Sequence, residues 1–202
     1  MTRFETPEGV RARYDLVVVG TSTGGLHALT RLLGALPASY RLPILVVQHR
    51  SKDSDERLSS LLSGASPLPV SEAEDKEPLL GPGVYLGPAD YHLLVEPESI
   101  ALSTEEPVAY SRPSIDVLFE SAAYSHGSAV IGVLLTGANQ DGTRGLQEIK
   151  QRGGYVIVQD PTSAESAFMP MNAVKNVPAD CVLSLDQIAT ELVLRASDAR
   201  AL

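Results

Sequence analysis

Asp15-Leu-Val-Val-Val-Gly-Thr-Ser-Thr-Gly-Gly-Leu26 decides how the rest of the chain is read. Leu16 to Val19 is a short valine-rich apolar run closed by Gly20, the pattern of a parallel strand buried on both faces. An amphipathic helical pattern follows at once, with Leu26, Leu29, Leu33 and Leu36 spaced to share one face. Between the two, Gly20-Thr21-Ser22-Thr23-Gly24-Gly25 leaves room only for a sharp strand-to-helix turn, and Ser22 is lodged in it. A hydroxyl there lies beside the unpaired N–H groups of the first helical turn, which favour negative charge. Two chemistries fit: a phosphate cradle, or a serine nucleophile with its oxyanion donors close by.

Outward from this stretch the same grammar repeats. Pro43 to His49 is a second apolar strand, and Asp53 or Ser54 is placed to cap a helix carrying Leu58, Leu61 and Leu62. Ser66 to Val70 reads as a short third strand. From Ser71 the punctuation changes: Gly81-Pro82-Gly83, Gly87-Pro88 and Pro97 separate Val84–Leu86, His92–Val95 and Ile100–Leu102, which predicts an antiparallel meander. Ser111 or Ser114 then caps a helix burying Ile115, Leu118, Phe119 and Ala122. Ala129 to Leu135 resumes the parallel pattern, followed by Thr136-Gly-Ala-Asn-Gln-Asp-Gly142 and a helix that stops at Gly153-Gly154. Strand Tyr155–Gln159, a helix near Met169–Asn176, strand Cys181–Leu185 and a helix from about Asp186 complete the series. The expected fold is α/β: a doubly wound, mostly parallel sheet with helices on both faces and an inserted antiparallel meander. Residues 1–14 are expected to be a flexible lead-in and 15–202 one domain, with no repeat and no linker long enough for a second.

Composition narrows the classes. The 202 residues are 44% hydrophobic and 20% charged, enough to bury a core without disulfides or metal. No apolar run approaches ~18–20 residues, so no membrane insertion is expected. The first thirteen residues lack the apolar segment of a secretory signal, and the single cysteine, Cys181, fits a cytoplasmic protein and reads as a buried core residue. A net charge of −9 argues against a nucleic-acid partner. The four histidines show no metal-ligand spacing, so no metal and no cofactor is expected. His27 is expected to face solvent, and His92 and His126 to be structural.

Ligands of an open parallel sheet bind at the carboxyl ends of its strands. Ser22 follows the first strand, His49 ends the second, and Asp141 lies in the loop after the strand at 129–135. A serine needs an imidazole to take its proton, and the imidazole needs a carboxylate to fix its tautomer. Each residue also has a plainer role open to it: a turn serine, a core histidine, a helix N-cap aspartate. The phosphate reading weakens on two counts. No lysine follows Gly25, as a phosphate-binding loop requires, and Thr21-Ser22-Thr23 replaces the middle glycine of a dinucleotide fingerprint.

Val-Val-Val-Gly-Thr-Ser-Thr-Gly-Gly, Val-Val-Gln-His, Arg-Pro-Ser-Ile-Asp-Val-Leu-Phe and Leu-Leu-Thr-Gly-Ala-Asn-Gln-Asp-Gly together resemble the catalytic domain of chemotaxis protein-glutamate methylesterases (CheB type), in matching order over about residues 15–195. The resemblance implies Ser22 as nucleophile, His49 as base and Asp141 as orienting carboxylate. It implies methyl-accepting chemoreceptors, or another methylated protein, as partner, with methanol released from glutamyl methyl esters, and it allows glutamine deamidation. The alternatives are an interaction module that keeps the fold without the chemistry, or an esterase acting elsewhere. Members of the family typically carry an N-terminal phospho-receiver domain, and only about fourteen residues precede the first strand here. The chain also departs from the family pattern at Ala138 and Asn139, commonly Met and Gly, and at Phe168 and Met171 around Met169-Pro170.

Overall fold

The computed structural model describes residues 14–50, 57–79 and 81–196. The expected lead-in, apart from Tyr14, and the cap at Asp53 or Ser54 lie outside them. Seven strands form one parallel sheet in the order β3-β4-β2-β1-β7-β8-β9: β1 Leu16–Thr21, β2 Ile44–Gln48, β3 Val70–Glu72, β4 Val84–Leu86, β7 Val130–Leu134, β8 Tyr155–Gln159 and β9 Cys181–Leu183. Between β4 and β7 the chain makes a two-stranded antiparallel hairpin, β5 His92–Val95 with β6 Ile100–Ser103.

Helices cover both faces because side chains alternate along each strand. Val17 and Val19 point to one side, with Leu29 and Leu32 of α1 (Gly25–Gly34), Leu62 of α2 (Arg57–Ala65), and Ile188 and Leu192 of α6 (Leu185–Ala196). Leu16 and Val18 point to the other. There they join Phe119 of α3 (Ile115–His126), Leu146 and Ile149 of α4 (Thr143–Gln151), Met169 of α5 (Phe168–Asn176) and Leu93 of the hairpin. From β1 the strand order runs out through β2 on one side and β7 on the other. That reversal opens a crevice at the carboxyl ends of β1, β2 and β7, where such sheets bind ligands.

Four local expectations need correction. Val84–Leu86 is not part of a meander: it runs parallel to β2 and β3 inside the main sheet, and only the next two apolar pieces pair antiparallel. Three residues between glycines carry no period that tells the two pairings apart. The third strand starts at Val70 and not Ser66, because Pro67 and Pro69 have no N–H for a ladder and Ser66 Oγ instead accepts the Leu68 N–H in a turn. Leu26 is 43% exposed, and the buried face of α1 runs through Ala28, Leu29, Leu32 and Leu33. Cys181 is half-buried, with its sulfur 3.0 Å from the Tyr155 hydroxyl. No described helix is long and apolar enough to cross a membrane.

Candidate active site

The turn that carries Ser22 is pinned at its backbone. The Ser22 N–H donates to Thr136 O at 3.0 Å, and Ser22 O accepts the Gly25 N–H and Gln48 Nε2, both at 2.9 Å. Thr136 ties the far side: its carbonyl also accepts the Thr21 hydroxyl, and its own hydroxyl donates to Thr23 O. Two glycines are required by position. Gly24 has φ +79°, the left-handed region that costs a side chain, and a Cβ on Gly25 would lie 1.9 Å from Gln48 Oε1. Among the described residues, nothing hydrogen-bonds the Ser22 hydroxyl. It borders an open cleft of about 610 Å³ that Leu26, His27, Gln48 and Glu165 also line.

His49 leaves β2 alongside this turn, its N–H donating to Thr21 O at 3.0 Å. Its ring reaches across to the loop after β7, where Nε2 lies 2.8 Å from Asp141 Oδ2. The structure therefore places Ser22, His49 and Asp141 on one edge of the sheet. It bonds the second to the third and leaves the hydroxyl of the first without a hydrogen bond to any described residue.

Asp141 is 1% exposed and saturated with donors. Its Oδ2 also accepts the Ile115 N–H at 2.7 Å, while Oδ1 accepts the Asp116 N–H, the Gly142 N–H and the Ser114 hydroxyl, each at 3.0 Å. Ile115 and Asp116 open α3, so this carboxylate caps a helix 25 residues upstream, where the free N–H groups and the helix dipole favour an anion. Ser114 stands at the N-cap position, yet its hydroxyl serves Asp141 and not the helix. Burial pushes Asp141 up, but the bonds from His49 and from the Asp116 and Ile115 N–H groups outweigh it and hold the carboxyl below its ordinary range. Its neighbour Asp116 goes the other way. Burial raises it to about 6; the Gly145 N–H opposes this and the Asp141 charge adds to it.

Several site residues escaped the sequence reading. His92, expected to be structural, is buried, and its Nδ1 accepts the Ser114 N–H at 3.2 Å, so it steadies the residue that steadies Asp141. Gln48 bonds Ser22 directly. Asn139, noted only as a departure from a pattern, puts Nδ2 3.2 Å from His49 Nδ1. The Arg-Pro-Ser-Ile-Asp motif was the signal available for Ser114. His27 is exposed on the rim of the Ser22 cleft, and His126 sits at the end of α3 with Nδ1 2.8 Å from Ser125 Oγ. Phe168 and Met171 are exposed on α5, whose start is laced to the Gly137 loop by the Met169 N–H to Gly137 O bond. No group of three or more described His, Cys, Asp or Glu residues is placed to hold a metal.

Comparison with known proteins agrees with this architecture. The family model described as CheB methylesterase matches residues 17–192. A Leptospira interrogans protein, provisionally named protein-glutamate methylesterase/protein-glutamine glutaminase, is 44% identical over 90% of this chain and 94% of its own length. A Myxococcus xanthus protein named protein-glutamate methylesterase/protein-glutamine glutaminase 4 is 44% identical over 89% of this chain, which spans 51% of it. The crystal structure of the Thermotoga maritima CheB methylesterase catalytic domain superposes with a TM-score of 0.86 at 34% identity, covering 90% of this chain and 98% of that one. With a family model matched over residues 17–192 and a relative 44% identical over nine-tenths of its length, the chain belongs to the CheB methylesterase family.

Proposed function

We propose that Ser22, His49 and Asp141 form the catalytic triad of a cytoplasmic esterase that removes methyl groups from glutamyl γ-methyl esters on methylated chemoreceptors. The observation that carries this reading is the 2.8 Å bond from His49 Nε2 to a buried, ionised Asp141, made beside the Ser22 turn. A carboxylate accepts only, so the ring proton sits on Nε2 and the lone pair on Nδ1. Nδ1 is then the base. The Ser22 hydroxyl gives it a proton and attacks the ester carbonyl, and Asp141 stabilises the imidazolium that forms. The tetrahedral oxyanion needs donors aimed at it, each worth about 3–4 kcal/mol in such a site. The Thr23 and Gly24 N–H groups supply them, since the neighbouring Ser22, Gly25 and Gly137 N–H groups are already engaged. The tetrahedral intermediate collapses, the C–O bond to methoxide breaks, and His49 returns the proton to release methanol. Water attacks the acyl-enzyme by the same route, leaving a glutamate carboxylate and free Ser22. Glutamine deamidation follows the same steps with ammonia as leaving group, in keeping with the paired names of the relatives. Methanol release from a methylated receptor, compared between the wild type and Ser22→Ala, tests the assignment. Loss by about 10⁴-fold or more is expected, and wild-type turnover in the variant would sink it.

A further inference from the structure

One residue at the site has no part in that scheme. Asn139 bridges the imidazole and the backbone of Asp141, with a hydrogen bond at each end of its amide. Its Oδ1 accepts the Asp141 N–H at 3.2 Å, and its Nδ2 lies 3.2 Å from His49 Nδ1. The first bond fixes which way the amide faces, because only the oxygen can accept an N–H. The NH₂ group is therefore turned to His49, and the nitrogen it meets must be an acceptor. Asp141 on Nε2 demands the same tautomer, so the two contacts agree. The nitrogen that Asn139 holds is thus the one that Ser22 needs, and the Ser22 hydroxyl carries no bond to a described residue.

We propose that Asn139 is a positioning residue that latches the general base: its amide occupies His49 Nδ1 in the resting site and must release that nitrogen before Ser22 can be deprotonated. The inference rests on the triad reading above. A second physical consequence reinforces it. Once Nδ1 takes the serine proton it becomes a donor, and an amide NH₂ still facing it would set donor against donor. The latch therefore favours the neutral ring and yields during acylation. Asp141 does not depend on it for the tautomer, since a charge-assisted bond at 2.8 Å is stronger than a neutral one at 3.2 Å.

Two substitutions at one position separate a latch from a structural prop. In Asn139→Ala the competing donor is gone, and acylation of Ser22 by a fluorophosphonate probe should be about two- to tenfold faster at unchanged probe affinity, as expected for losing one ordinary hydrogen bond. In Asn139→Asp the shape and the acceptor for the Asp141 N–H are kept. Its carboxylate, however, can only accept, drawing a proton onto Nδ1 and removing the base, so acylation should be slower than wild type. A prop predicts the opposite order, with the near-isosteric Asp close to wild type and Ala impaired. Nitrogen NMR of the imidazole gives a readout independent of turnover: the Nδ1 signal should move in Asn139→Ala while Nε2 stays protonated. The order Ala above wild type above Asp, with a shifted Nδ1, establishes the latch. Rates for Ala at or below wild type, or an unmoved Nδ1 signal, overturn it. Failure of wild type to label at Ser22, with Ser22→Ala as control, overturns the triad reading and the latch with it; a latch that fails alone leaves that labelling intact.

Discussion

The two halves of the site are built to opposite standards. Around Asp141 everything is fixed: five donors converge on a carboxylate that is 1% exposed, and the start of α3 depends on it. Around Ser22 the backbone is equally pinned, yet the hydroxyl is bonded to none of the described residues and opens onto a cleft. Rigidity is thus invested in orienting the imidazole and in seating the serine turn, while the oxygen proposed to react is not held by a hydrogen bond to any described residue. Such a division suits a nucleophile that commits only when an ester carbonyl is in place.

The contrast predicts that activity and stability separate on one side and stay joined on the other. Ser22→Ala should lose activity about 10⁴-fold or more while unfolding within ~0.5 kcal/mol of wild type, because the removed atom bonds no described residue. Asp141→Asn should lose activity about 10⁴-fold and also on the order of 3 kcal/mol of stability. An amide must turn its NH₂ either to Ile115 N–H and His49 or to Ser114, Asp116 N–H and Gly142 N–H, and each side already presents donors. Denaturant unfolding of the two variants side by side checks this. Equal stabilities would erase the distinction between the halves.

Ser114→Ala should produce the same pattern at reduced size. It deletes one of the five donors, a hydroxyl 3.0 Å from Oδ1 in a buried setting. The other four remain, so stability should fall by ~1–2 kcal/mol and turnover by less than about tenfold. A loss of turnover as large as that of Asp141→Asn would mean that Ser114 acts on the reaction and not through the carboxylate.

How much of this was legible in the sequence depended on how far each feature reaches along the chain. Strands β1, β2, β7 and β8 announce themselves as apolar runs ended by glycine or a polar residue, and the parallel sheet follows from their alternation with helices. That alternation also puts Ser22, His49 and Asp141 at one edge, since each stands just beyond a strand's carboxyl end. Strand β4 was misread because Val84, Tyr85 and Leu86 are too few to show a period, and their parallel partners lie about 14 residues back in β3 and about 40 back in β2. The support for Asp141 was invisible for a different reason. Ser114 reads as a helix cap from its neighbours, and only the fold brings a carboxylate from 27 residues downstream to take over that task. Asn139 facing His49, 90 residues away, depends on a side-chain orientation that no spacing encodes.

The last predicted effect is a matter of pH, leaves turnover aside and concerns the carboxylate next to the rigid half. Asp116 is raised to about 6, chiefly by burial and against the Gly145 N–H bond, so the fold prefers it protonated. Between its ordinary value of 3.8 and about 6 the folded chain holds more proton than the unfolded chain. Stability from this group therefore falls as pH rises across that window and is level above it, a change of roughly 2–3 kcal/mol. Asp141 acts with the reverse sign and in another window: it is held low, so its contribution is lost as pH falls below the ordinary carboxylate value. Asp116→Asn keeps an oxygen for the Gly145 N–H but cannot ionise. Unfolding free energies at pH 4, 5, 6 and 7 should thus decline less in the variant than in wild type between pH 4 and 6, and run parallel from 6 to 7. An identical slope in both proteins would show that Asp116 ionises in the fold as easily as in the open chain. The strain beside the Asp141 cluster would then be absent, and the neighbouring carboxylates would not be divided into one held charged and one held back.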